Sequence, residues 1–263
     1  MLPLSDPLPV KLMLKAAIAV VLLISLGGGG WWAWKSYGSG IFEIIIQQEA
    51  KPEPDAERYA TLVSELERWR GDLRKAHAKA RTAEEKTAVE HDARVILEMV
   101  MPEMMRCWLG TPYDFNGTAE KPGGGKVACG YFVSTVIRDA GFRVDRYKLA
   151  QQPSGNILRT FLNSESCLLK VGQDFESYAK WVEGMEPGVY LIGLDSHVGF
   201  IVNGEDGTRF YHSSGWQKRG VVNEAGDKAG ALRHSNWRMI GGLTADPEVI
   251  RTWLAGGEVK VRS

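Results

Sequence analysis

Residues 188–213 constrain the fold more than any other part of the chain. Gly188–Leu194, Val198–Asn203 and Arg209–Ser213 read as short consecutive strands. Between the last two lies Asn203-Gly204-Glu205-Asp206-Gly207, turn chemistry that returns one strand beside the other. Strands joined this tightly build an antiparallel sheet. Upstream, the pattern is helical: Tyr59, Leu62, Leu66, Trp69 and Leu73 recur at steps of three and four, and Ala76 and Ala80 extend the stripe. A second helix is expected over 82–105, with Val95, Ile96, Met99 and Val100 as its apolar face. Helices first and clustered antiparallel strands afterwards predict an α+β layer arrangement. The expected organisation is a helical hairpin at 56–91, a main domain at 92–245 and a C-terminal tail at 246–263.

The N-terminus bears on compartment. Ala16–Trp34 carries no charge, follows Lys11 and Lys15, and is closed by Lys35. At a helical rise of about 1.5 Å per residue it is just long enough to cross a bilayer core. Trp31, Trp32, Trp34 and Tyr37 form an interfacial aromatic cluster, and a small-x-small cleavage pattern is missing. Residues 1–34 are therefore expected to be a membrane anchor, with a cleaved export signal as the alternative. Either places the rest of the chain outside the cytoplasm: a single-pass protein of the cytoplasmic membrane with a periplasmic catalytic domain, or a secreted one. Residues 35–55 read as a juxtamembrane linker, broken by Lys51-Pro52-Glu53-Pro54. The apolar stripe within 56–80 is expected to pack on the neighbouring domain, with weak self-association as the alternative. Lys+Arg and Asp+Glu balance at 32 each, so no global field draws the chain to nucleic acid.

Cys129 carries the chemistry. It stands after a glycine-rich loop, at the first turn of a helix marked by Phe132, Val133, Val136, Ile137 and Ala140 and stopped at Gly141. A helix N-terminus stabilises a thiolate through unpaired N–H groups, and a histidine partner completes the activation. His197 opens one strand and His212 lies in the strand that the hairpin returns, so His197 is the expected base and His212 the group that orients it. Gly130 is expected to let a substrate carbonyl approach the backbone, where N–H groups supply part of an oxyanion hole. A zinc site built from the same three residues is the competing reading, but their spacing matches no zinc signature, and no metal or cofactor is expected. With only Cys107, Cys129 and Cys167 present, a disulfide framework is excluded and at least one thiol stays free. Arg143, Arg146, Tyr147 and Gln151 are candidates for shaping a cleft, with solvated surface as the plainer alternative. Gly123-Gly124-Gly125-Lys126-Val127 lacks the earlier glycine and the following Ser/Thr of a phosphate loop.

Four segments in order carry a resemblance: Leu109-Gly110-Thr111-Pro112-Tyr113, Cys129-Gly130-Tyr131-Phe132-Val133, Ser196-His197-Val198-Gly199-Phe200 and Phe210-Tyr211-His212-Ser213-Ser214. This series resembles the NlpC-type cysteine peptidases, papain-like bacterial enzymes that cut peptide bonds of the peptidoglycan stem, over roughly residues 92–245. The resemblance implies a Cys129 nucleophile, a His197 base, an orienting His212, and substrate contact by Tyr113 near the active site. It also implies an exported or membrane-tethered hydrolase acting on stem peptides through a thioester. The family usually has Asp before the cysteine and Ser-Gly after it; this chain has Ala128 and then Gly130-Tyr131. The alternatives are an inactive module of the same fold that binds wall or a partner, or an amidase or acyltransferase on another substrate.

Overall fold

Asp55 opens the first helix, α1 (Ala56–Lys79), by accepting a hydrogen bond from the Arg58 N–H at 2.8 Å. Thr82 and Glu85 form a reciprocal capping box at the start of α2 (Ala83–Cys107). The computed structural model describes residues 52–263, and these form one compact unit. The candidate anchor, its aromatic cluster and most of the 35–55 linker lie outside the described residues. Among the described residues no helix is long and apolar enough to cross a membrane.

The α1 stripe is used within the chain. Tyr59 and Leu66 are buried, and Leu62, Val63, Trp69 and Leu73 pack against the same core. The face of α2 differs from the expected one: Val95 and Met99 are exposed, while Ala93, Leu97, Val100, Met101 and Met104 are buried. The run is apolar on several sides, so its neighbours in space decide which side turns inward. No boundary falls at 91/92, because α2 runs unbroken through it.

After α2 come α3 (Cys129–Asp139), β1 (Arg143–Val144), α4 (Arg146–Ala150), α5 (Ser154–Phe161) and β2 (Leu168–Val171). They are followed by α6 (Phe175–Glu183), β3 (Gly188–Leu194), β4 (Val198–Gly204), β5 (Gly207–Ser214) and β6 (Gly220–Ala225). The chain ends with α7 (Gly230–His234), β7 (Trp237–Gly242), α8 (Pro247–Ala255) and β8 (Glu258–Val259). A six-stranded sheet runs β2-β7-β3-β4-β5-β6 with every neighbouring pair antiparallel. The fold is thus mixed α+β, as the strand and helix signals predict. The hairpin register Asn203↔Thr208 and Gly204↔Gly207 leaves Glu205 and Asp206 as its two-residue turn.

Alternation along the strands divides the core in two. Val189 and Leu191 of β3 join Phe200, Tyr211 and Met239 on the face covered by α2, α3, α5 and α8. Ile192, Ile201, Phe210 and Ile240 meet Phe175, Tyr178 and Val182 of α6 and Leu232 of α7 on the other face. Each fully buried side chain of this size contributes about 1.5–3 kcal/mol. The expected tail is instead α8 and β8. Asp246 caps α8, Val249, Ile250, Trp253 and Leu254 are buried, and Trp253 donates its indole N–H to the Ala140 carbonyl at 2.7 Å.

Candidate active site

Cys129 is the first residue of α3, and its placement follows from the loop before it. The Ala128 N–H donates to the Gly117 carbonyl and the Val127 N–H to that of Pro112, each at 2.9 Å. The Ser213 hydroxyl of β5 donates to the Val127 carbonyl at 2.7 Å. Arg146 clamps the same loop from the other side, donating to the Thr118 and Ala119 carbonyls at 2.9 and 2.8 Å. Its guanidinium lies 5.0 Å from the ring centroids of both Tyr131 and Tyr147. Arg146 is therefore a buried strut of the nucleophile loop and not a cleft residue. Arg143 donates to the Gly256 carbonyl, Tyr147 to Glu120, and Gln151 to the Tyr131 hydroxyl on the surface, so these three lie outside the cleft as well.

Ala128 occupies the N-cap of α3 and offers no side-chain cap. An Asp there would occupy first-turn N–H groups; Ala128 leaves them open, at a cost of about 1 kcal/mol in helix capping. The N–H groups of Val198, Gly130 and Cys129 pull the Cys129 thiol pKa down, but burial pushes it up and wins. Gly130 is required for a reason other than the expected one. A methyl group on it would stand 2.4 Å from the Ala150 carbonyl oxygen, so glycine lets the end of α4 close on the start of α3. Gly130→Ala is expected to destabilise the fold by about 1–3 kcal/mol through this overlap, seen as a lowered denaturation midpoint. A midpoint equal to the parent's would mean that α4 yields freely.

His197 closes the tight turn from β3 to β4, in which the Leu194 N–H donates to its carbonyl at 2.8 Å. His197 Nε2 lies 2.7 Å from His212 Nδ1, and the two rings are almost perpendicular. His212 is 1% exposed and stacks on Phe210 at 4.1 Å. Its Nε2 lies 2.8 Å from Glu224 Oε2 on β6, and Arg219 donates to Glu224 Oε1 at 2.7 Å. Glu224 is the member that the sequence reading missed. A carboxylate accepts only, so His212 carries its proton on Nε2 and its Nδ1 accepts from the Nε2–H of His197. The basic nitrogen of His197 is then Nδ1, which has no hydrogen-bond partner among the described residues.

Burial, and next the neighbouring His212, push the His197 pKa down to about 3, against an upward pull from Glu224. Burial lowers His212 too, with Glu224 pulling it upward. The His212 hydrogen bond holds the Glu224 carboxyl down at about 2. Burial thus favours the neutral thiol and the neutral imidazole at rest, while the N–H groups around Sγ favour the thiolate. A neutral histidine in the fold takes up fewer protons than the unfolded chain below the ordinary pKa of about 6.5, so its contribution is complete above that value and is lost on acidification. Glu224 has the same sign in a lower window, being lost as pH falls from the ordinary carboxylate range toward 2. The urea midpoint is expected to drop between about pH 7 and 5, and to drop less in His197→Gln. Equal midpoints at both pH values in the parent would mean the histidines are not held neutral.

Cys129, Gly130 and His197 open on one cleft of about 520 Å³. One wall is the α4–α5 segment from Ala150 to Arg159, the other is the Leu194–Val198 turn, and Trp237 also lines the cleft. Tyr113 stands outside this lining, with its ring against Gly215. Burial raises its phenol, and the Cys129 charge adds to that rise, which places Tyr113 on the nucleophile's electrostatic horizon. Among the described residues no group of three His, Cys, Asp or Glu side chains is arranged to hold a metal ion. No protein-family model, curated protein or solved structure matches this chain.

Proposed function

We propose that this chain is a papain-like cysteine hydrolase of the NlpC type that cuts amide bonds in peptidoglycan stem peptides, exported and tethered by residues 1–34. The observation that carries the reading is the hydrogen-bonded line from Glu224 through His212 to His197, which lines the same open cleft as Cys129. In the mechanism, His197 Nδ1 takes the Cys129 proton as sulfur attacks the scissile carbonyl. The uncapped N–H groups at the start of α3 receive the developing oxyanion. The tetrahedral adduct collapses with loss of the amine, which takes the proton from His197. Water, deprotonated by the same imidazole, then hydrolyses the thioester and restores the thiol.

Neutral partners suit this sequence of steps, because charge separates only as the sulfur–carbon bond forms. Burial penalises an ion pair at rest, and the site's N–H groups repay part of that penalty in the transition state. Incubation of the full-length protein with purified sacculi is expected to release new amine termini at a constant rate. Their absence would count against stem peptide as substrate, while a Cys129 thioester trapped from a different amide would redirect the substrate and keep the chemistry.

A further inference from the structure

Among the described residues, one permanently cationic side chain lines the cleft, Arg159, and it is unpaired among them. Arg159, in the second turn of α5, is half-buried. Among the described residues it makes no hydrogen bond, and no carboxylate lies within 4.0 Å of its guanidinium. The other half-buried or buried arginines are engaged: Arg70 with Glu67 and the Gly141 carbonyl, Arg94 with Glu98, Arg138 with Asp139, Arg146 with the Thr118 and Ala119 carbonyls, Arg209 with Asn223, and Arg238 with the Leu232 and Gln173 carbonyls. Arg159 bends back along its own helix. A methyl built on Gly155 would stand 2.9 Å from its Nη1 and 3.1 Å from the Trp237 ring, so the guanidinium and the indole edge both lie against the first turn of α5, and both residues line the cleft.

The cleft's fixed anion is on the opposite wall. Asp195 stands in the β3–β4 turn, two residues before His197, and its Oδ2 accepts from the Ser235 hydroxyl at 2.6 Å and the Asn236 N–H at 2.7 Å. Those donors, with the Trp237 N–H, hold the carboxylate ionised and in place. One wall therefore repels a substrate carboxylate and the other attracts it. Such a bipolar groove orients a peptide as well as binding it.

We infer that Arg159 is a carboxylate-binding subsite, and that the substrate is a peptide carrying a free carboxylate a few atoms from the scissile amide, directed to the α5 wall. This rests on the reading of Cys129 as an accessible nucleophile. A guanidinium matches a carboxylate with two parallel N–H donors, and half-buried against α5 it is screened less than a fully exposed arginine. The remaining polar lining (Gln152, Ser154, Asn156 and Ser196) is neutral, suited to the peptide backbone.

The experiment compares two alkylating reagents of nearly equal size, iodoacetate and iodoacetamide, on the full-length chain. The Cys129 peptide is followed by mass spectrometry so that Cys107 and Cys167 do not contribute. The ratio of the iodoacetate to the iodoacetamide rate is expected to fall about threefold or more in Arg159→Gln at low salt, and to be retained in Arg159→Lys. High salt is expected to erase the difference between parent and variant. A ratio unchanged by Arg159→Gln, or one in which both rates drop together, would overturn the subsite. The reagents also separate this inference from the one beneath it: if neither labels Cys129 in the parent, the open nucleophile itself fails and the subsite with it. On peptides that differ only by carboxylate against carboxamide, Arg159→Gln is expected to raise KM for the first and leave the second alone; equal effects on both would likewise overturn it.

Discussion

A Cys129→Ala protein is expected to fold like its parent and, if the proposed amide hydrolysis holds, to lose at least about four orders of magnitude of turnover. The expected fold retention follows from position: Cys129 is half-buried at a helix start, its Sγ partners are backbone N–H groups, and no side chain leans on it. The expected rate loss follows from chemistry, since Cys129 is the one thiol lining the cleft and the cleft's hydroxyls, on Ser154 and Ser196, are far weaker nucleophiles at neutral pH. Cys129→Ser is expected to fail nearly as badly, because an alkoxide is much harder to form against the same burial. Near-ultraviolet absorbance at 240 nm gives a second view of the same group. The difference between parent and Cys129→Ser is expected to be small at neutral pH and to grow only above the ordinary thiol range of about 8.5. Turnover that survives Cys129→Ala would move the chemistry elsewhere, and a full thiolate signal at neutral pH would replace the neutral pair with an ion pair.

His212→Ala is expected to lower kcat by roughly 10²–10⁴, with KM nearly unchanged. His212 reaches the substrate only through His197, so its loss shows as misorientation of the base. Without the acceptor at His212 Nδ1, the His197 ring is free to turn and to present a protonated nitrogen to the thiol. His212→Asn supplies a carbonyl oxygen close to the lost nitrogen and is expected to recover activity to within about tenfold of the parent. A merely structural role for His212 predicts a different pattern, with both substitutions lowering stability and kcat in proportion. Glu224→Gln is expected to be milder than His212→Ala, since an amide oxygen still accepts from His212 Nε2, and to move the acid limb of the pH profile. That limb lies well below the ordinary histidine value because burial keeps His197 neutral.

The parts of this design that local chemistry writes were legible in the sequence. The Asn203–Gly207 turn fixes a hairpin within a few residues, and the hairpin places His212 opposite the start of β4 whatever surrounds it. His197 and His212 lie within hydrogen-bond distance and Cys129 lines the same cleft as His197; Cys129 opens α3 and His197 precedes β4, while His212 lies inside β5. Glu224 was invisible because β6 has only two strongly apolar residues, Val221 and Val222, and its partner in register is supplied by β5. The inward face of α2 was legible only in part, at Ile96 and Val100 but not at Val95 and Met99, since a methionine-rich run is apolar in too many directions. The role of Gly130 was misplaced because the Ala150 carbonyl that demands it arrives from a different helix. Helix α8 did carry a readable signal, Asp246-Pro247 followed by an apolar face, and was passed over as a tail. Arg159 offered nothing in sequence; its meaning lies in having no partner.

The relay is distributed over three neighbouring strands, and its last carboxylate stands on β6, the outermost of them. Outer strands fray before central ones, since one side of their backbone has no strand to hold it. Gly110 and Thr111 brace only the first residues of β6, through Val221, and leave the Glu224 end to the hairpin alone. Brief opening of that end would let the tautomer of His212 go while α3, β3 and β4 stay packed. Warming should therefore silence this chain before it melts it: the temperature ceiling for turnover is set by a few residues at a sheet margin and lies below the one set by the core.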